Sequence, residues 1–169
     1  SFTRFLAPYL CDYKGWAIFT DCDMLVTADI AELWALRDDK YAVMCTKHDY
    51  QPVGDTKFLG QVQTKYEKKN WSSVMMFNNA RCTALTPEVV STETGLFLHQ
   101  FKWLGNDDLI GSLPLSWNYL VGEHQPATST PELIHYTLGG PYFEKYRDCE
   151  FADLWRAELA RLNFATPDK

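Results

Sequence analysis

Trp16-Ala17-Ile18-Phe19-Thr20 is an uninterrupted apolar run that stops abruptly at Asp21-Cys22-Asp23. A strand without polar alternation reads as one covered on both faces, the arrangement of a parallel α/β sheet. Asp29 then stands as a helix N-cap ahead of Ile30, Leu33, Trp34 and Leu36, whose spacing predicts a short helix. Tyr41 to Cys45 reads as the next strand, and the resulting β-α-β order predicts a layered α/β fold.

The flanking sequence fits that frame. Phe2, Phe5, Leu6, Tyr9 and Leu10 recur at helical spacing despite Pro8, and Lys14-Gly15 marks the end of the segment. Lys47 to Asn70 is polar, holds Gly54 and Gly60, and has no sustained period, so it reads as a long connection. A strand is expected over Ser73–Phe77, ending at Asn78-Asn79. Helices are expected over Pro87–Val90, Gly95–Trp103 and Asn106–Leu113. Pro114 to Pro131 is turn-rich, Leu133 to Tyr136 predicts a last short strand, and Phe151 to Leu162 an amphipathic helix.

With 169 residues, 46% of them hydrophobic, the chain can bury a core of its own and is expected to form one domain. Twenty-two acidic against sixteen basic side chains give a formal charge of -6, which argues against a nucleic-acid partner. No apolar run approaches the ~20 residues that span a bilayer, and no leader-like segment opens the sequence. Cys11, Cys22, Cys45, Cys82 and Cys149 are odd in number and form no CxxC pair. They suggest neither a disulfide framework nor a zinc ribbon, and reduced thiols point to the cytoplasm.

Residues two apart on an extended strand face the same way, so Asp21 and Asp23 would present both carboxylates on one side at the sheet edge where open α/β folds bind ligands. Two close carboxylates repel unless a cation lies between them, which points to a divalent metal. The alternative is that both acids cap a turn or the following helix. Lys47, Lys57, Lys65, Lys68 and Lys69 make the long connection locally basic, either as a solvated surface or as a contact for a diphosphate or an anionic acceptor. His48 is expected in that loop, and His99 in a structural role.

Thr3-Arg4-Phe5-Leu6, the apolar strand, Asp21-x-Asp23-Met-Leu-Val and Asp29-Ile30-x-Glu32-Leu33-Trp34 together resemble the family 8 glycosyltransferases, retaining enzymes of the GT-A fold that use nucleotide sugars. Ser72 to Asn78 resembles the family's N-[SA]-G-V-x-x-x-N strand, with Trp71 and Ser73 in place of the expected Asn and Gly. Asn106-Asp107-Asp108-Leu109-Ile110-Gly111, with Leu113-Pro114 and Trp117-Asn118 following, is similar to the family's D-Q-D-x-L-N and L-P-x-x-W-N segments. His135 to Tyr142 resembles its H-x-x-G-x-x-K-P-W segment, except that Gly140 stands where the lysine precedes proline and Tyr142 replaces Trp.

The resemblance implies that Asp21, Asp23 and His135 hold Mn2+, with Mg2+ the alternative, on the diphosphate of a UDP-sugar donor. It implies that Asp107 and Asp108 are catalytic, Asp107 on the reacting face of the donor sugar and Asp108 on its hydroxyls, unless they simply start a helix favoured by its dipole. Arg4, Gly139 and Gly140 would border the donor, and Lys145 could replace the missing lysine. The acceptor would be a carbohydrate or glycolipid. A complete domain of that family opens with a nucleotide-gripping β-α-β unit of about 30 residues or more. Fewer precede Asp21, so residues 1–169 are expected to form a single partial GT-A domain, incomplete at its N-terminus. Two other readings stay open. One is a haloacid dehalogenase-like phosphotransferase using Mg2+, with Asp21 as nucleophile and Asp23 as general acid. The other is a non-catalytic fragment of the transferase.

Overall fold

The computed structural model describes residues 1–49 and 68–165. Most of the polar connection, including Gly54, Gly60, Lys57 and Lys65, lies outside the described residues. In chain order the first elements are α1 (Ala7–Leu10), β1 (Trp16–Thr20), β2 (Met24–Val26), α2 (Ile30–Ala35), β3 (Val43–Thr46) and β4 (Val74–Asn78). There follow α3 (Pro87–Thr92), α4 (Gly95–His99), β5 (Ile110–Leu113), β6 (Tyr119–Leu120), β7 (Leu133–His135) and α5 (Ala152–Ala165). The fold is therefore mixed α/β, with sheets and flanking helices, as expected. Among the described residues no helix is long and apolar enough to cross a membrane.

These elements form two compact units, one of Ser1–Thr20 with Leu36–Leu115, the other of Asp21–Ala35 with Ser116–Lys169. The first holds a four-stranded sheet of order β1-β4-β3-β5, in which β4 runs antiparallel to both neighbours and β5 runs parallel to β3. Val43, Cys45, Met75, Phe77 and Ile110 meet Phe5, Leu98 and Phe101 in its core. The Cys45 and Cys82 thiols are driven up to about 12 by burial.

Local signals place several elements where the sequence predicts them. Pro8 falls in the first turn of α1, where its missing N–H costs no hydrogen bond. The Asp29 carboxylate accepts from the Ala31 N–H at 2.9 Å, the cap that starts α2. Thr86 and Thr94 cap α3 and α4 in the same way, accepting from Val89 and Phe97.

Three expectations are corrected. Trp16–Thr20 is a strand, but it is antiparallel to β4 and half-buried along its whole length. Among the described strands it has one neighbour, and the doubly covered positions belong to β3 and β4. The expected Asn106–Leu113 helix is one 3-10 turn, Asp107–Leu109, followed by β5. The Asn106 side chain closes that turn on the Asp108 N–H at 2.9 Å, and the free edge of β3 then recruits Ile110–Leu113 into the sheet, so pairing overrides local propensity. The expected Gly95–Trp103 helix stops at His99, because Phe101 takes a left-handed φ of 57° before a 3-10 turn at Lys102–Leu104.

The second unit is built on a three-stranded sheet of order β2-β7-β6, with β7 central. β6 lies inside the segment read as turns only. Tyr119, Val121, Ile134 and Tyr136 form its core, backed by Leu154 and Trp155 of α5. Glu150 ties the connection after β6 to this core, accepting from the Tyr119 hydroxyl at 2.6 Å and from the Ala127 N–H at 3.0 Å.

Candidate metal centre

Asp21 and Asp23 do not lie on an extended strand. β1 ends at Thr20 and β2 starts at Met24, so both acids sit in the bend between them, with Cys22 exposed. The carboxylates nevertheless converge, because backbone pairing continues past β2. Met24 faces His135 across the β2/β7 ladder, and the Tyr136 N–H donates to the Asp23 carbonyl at 3.0 Å. The bend frees the Asp23 side chain from strand alternation, and its Oδ1 comes to 3.4 Å from His135 Nε2. One ligand atom each from Asp21, Asp23 and His135 lies within 4.8 Å of the other two.

His135 is nearly fully buried, whereas both acids are half-buried, so the cluster is anchored on its imidazole and open on its carboxylates. Burial lowers the His135 pKa below 6.5, against the opposing pull of Asp23 and then Asp21. Burial thus favours the neutral ring over the imidazolium. Its Nδ1 lies 3.0 Å from the Asn118 Oδ1, and because an amide oxygen can only accept, the contact is a hydrogen bond when Nδ1 carries the proton. Nε2 then turns a lone pair toward the Asp23 carboxylate. In that tautomer Nε2 and the two carboxylates form a donor set fit for a cation, whereas a protonated Nε2 donates to the Asp23 carboxylate. Two carboxylate oxygens and one imidazole nitrogen suit Mn2+, while Mg2+ prefers oxygen and retained waters.

The other expected site residues fall as follows. Asp107 and Asp108 belong to the first unit, in the turn before β5. Asp107 is largely exposed and accepts from the mostly buried Lys68 Nζ at 2.6 Å, which also donates to the Gln100 carbonyl at 2.9 Å. These residues, with Phe101, Lys102 and Asn106, line a cavity of about 290 Å³. Arg4 donates to the Ser1 and Ser72 carbonyls and lies 5.0 Å over the Phe19 ring. Lys47 donates to the Ile110 carbonyl, so Lys47 and Lys68 are tied into the structure and are not simply a solvated run. Lys145 lies over the Tyr146 ring.

Gly139 and Gly140 follow β7 in the second unit. Gly139 takes a φ of 134°, and a Cβ there would meet Tyr146 at 2.4 Å, while one on Gly140 would meet Tyr142 at 2.4 Å. Both glycines let aromatic rings close over the backbone.

His48 is buried, where a loop position in solvent was expected. His99 is structural, as expected, its Nδ1 sharing a 2.6 Å hydrogen bond with the Ser72 hydroxyl. Burial, then the Arg4 charge, lowers its pKa from 6.5 to about 4. The unfolded chain therefore takes up a proton that the folded chain refuses between those values. Stability is complete above pH 6.5 and falls as pH drops toward 4. Urea unfolding at pH 7.5 and pH 5 should show about 1–2 kcal/mol less stability at pH 5 from this group, allowing for its half-exposed ring. His99→Asn should shrink that pH difference.

Asn118 carries no role in the sequence beyond its match to the family's W-N pair. A further signal is its amide inside the apolar stretch Trp117-Asn118-Tyr119-Leu120-Val121, since a fully buried amide must find polar partners.

The arrangement has the fold of a glycosyltransferase. The chain superimposes on apo GlyE, a glycosyltransferase of Streptococcus pneumoniae TIGR4, with a TM-score of 0.60, 15% identity, and coverage of 92% of this chain and 42% of GlyE. It superimposes on the apo form of WbbM, a bifunctional glycosyltransferase, with a TM-score of 0.57, 20% identity, and coverage of 90% of this chain and 34% of WbbM. By sequence it is 52% identical to Protein CDI of Arabidopsis thaliana over 169 residues, 96% of this chain. The chain spans 65% of the length of that relative. No protein-family model matches it.

Proposed function

We propose that this chain carries the metal and donor core of a retaining glycosyltransferase, which moves a hexose from a UDP-sugar to a carbohydrate or glycolipid acceptor with Mn2+. The observation that carries the reading is the convergence of Asp21, Asp23 and His135 within a glycosyltransferase fold. The Asp21 and Asp23 carboxylates and His135 Nε2 would hold the ion. When bound, the metal would act as a Lewis acid on the departing diphosphate. The neutral imidazole leaves the set with two negative charges, which match one divalent cation.

Asp107, which lines a cavity with Lys68 and Asn106, is assigned to the reacting face of the donor sugar and Asp108 to its hydroxyls. Lys68 holds the Asp107 carboxylate in place at 2.6 Å. Gly139 and Gly140 give the segment after His135 a close-packed backbone that would border the diphosphate, and Arg4 is placed on the donor side by family resemblance alone.

Isothermal titration of UDP into the chain, with and without Mn2+, tests this. Binding that requires Mn2+ is the expected result. Absence of UDP binding at saturating Mn2+ overturns the donor assignment, and hydrolysis of a phosphate ester with Mg2+ replaces it with a phosphotransferase.

A further inference from the structure

We propose that Asn118 is the positioning residue of the centre, which fixes both the tautomer and the ring orientation of His135 so that Nε2 is presented to the ion. Asn118 ends the 3-10 turn Leu115–Asn118 immediately before β6, and β6 runs parallel beside β7, with Leu120 opposite His135. This pairing is locked by the Val121 N–H donating to the His135 carbonyl at 3.0 Å. The amide, at the end of the turn that leads into β6, and the imidazole on β7 are therefore brought together by the register of these adjacent strands.

Asn118 is 0% exposed and His135 3% exposed. Neither group is open to water, so their 3.0 Å contact orients the ring from its Nδ1 side, while the Asp23 carboxylate faces Nε2. A neutral imidazole has one N–H. If it sits on Nδ1, Nε2 is a ligand; if it sits on Nε2, that nitrogen donates to Asp23 and the metal loses a ligand. An amide suits this task better than a carboxylate in one respect. It accepts the Nδ1 proton without adding a third negative charge to Asp21 and Asp23.

The metal part of this assignment rests on the metal reading above, whereas the tautomer part does not. Long-range 1H–15N correlation spectra of the metal-free full chain, labelled at histidine, read the His135 tautomer directly. The wild type should show the Nδ1–H form. Asn118→Leu, close to isosteric but unable to accept, should shift the ring to the Nε2–H form and weaken Mn2+ binding, followed by titration calorimetry, by about 10–100-fold. Asn118→Asp keeps the acceptor and should retain both the Nδ1–H form and Mn2+ affinity to within a few-fold.

An Nε2–H ring in the wild type overturns the proposal, and that measurement stands even should Asn118→Leu fail to fold. Unchanged tautomer and Mn2+ affinity in Asn118→Leu also overturn it. A wild type that shows the Nδ1–H form, lost in Asn118→Leu, but binds no Mn2+ supports the hold of Asn118 on the ring and rejects the metal reading instead.

Discussion

Asp23→Ala is expected to weaken Mn2+ binding by more than about 100-fold, beyond what loss of an outer partner of a ligand usually costs. The Asp23 carboxylate lies 3.4 Å from His135 Nε2, and its removal leaves Asp21 as the sole anion of the three. The fold should tolerate the change, because the β2/β7 pairing at this position uses the Asp23 carbonyl and not its side chain. Without metal, the variant should be as stable as the wild type or more so, since it relieves repulsion between two carboxylates. With Mn2+ at about 100 times its dissociation constant, the wild type gains about 2.7 kcal/mol and the variant almost nothing. Thermal unfolding with and without Mn2+ reads both effects. A wild type indifferent to Mn2+, or a variant stabilised equally, would sink the metal assignment.

The largest expected effect on stability comes from Phe77→Ala, at about 3–5 kcal/mol. Phe77 is 0% exposed on β4, between Ala17 of β1 and Val43 of β3, and it belongs to the core cluster of the first unit. Truncating it leaves a cavity in a sheet paired on both sides, where neighbouring strands have little room to collapse. Phe77→Leu should cost far less, under about 1.5 kcal/mol after repacking. Urea unfolding followed by far-ultraviolet circular dichroism distinguishes the two. Equal losses in both variants would mean that Phe77 does not organise this core.

Asp29, Thr86 and Thr94 cap helices through their own side chains, a signal contained within four residues. Trp16–Thr20, Tyr41–Cys45, Ser73–Phe77 and Leu133–Tyr136 were legible as strands because apolar runs bounded by turns are local too. Most failures involve partners distant in sequence; the Gly95–Trp103 helix instead stops locally, at the left-handed Phe101. Ile110–Leu113 follows a capped turn and became a strand because β3 offered an edge. Met24–Val26 and Tyr119–Leu120 are too short to show a period, and each exists because β7 pairs with it.

The same division runs through the site. Asp21-x-Asp23 and His135 were legible as candidate ligands from residue type, spacing and family resemblance, but strand alternation was the wrong reason for the carboxylates to converge. They meet because a bend releases Asp23 while its backbone stays paired to Tyr136. By itself the sequence determined the α/β class, the Asp29 helix cap, most of the strands and the donor atoms available to a metal, since period, capping and side-chain chemistry are properties of neighbouring residues. Tertiary structure alone decided which strand edges pair, and with that the register which sets His135 opposite Met24 and beside Asn118. Pairing is settled by burying the apolar faces of whole sheets and satisfying their backbone groups together, and no short stretch of sequence carries that information.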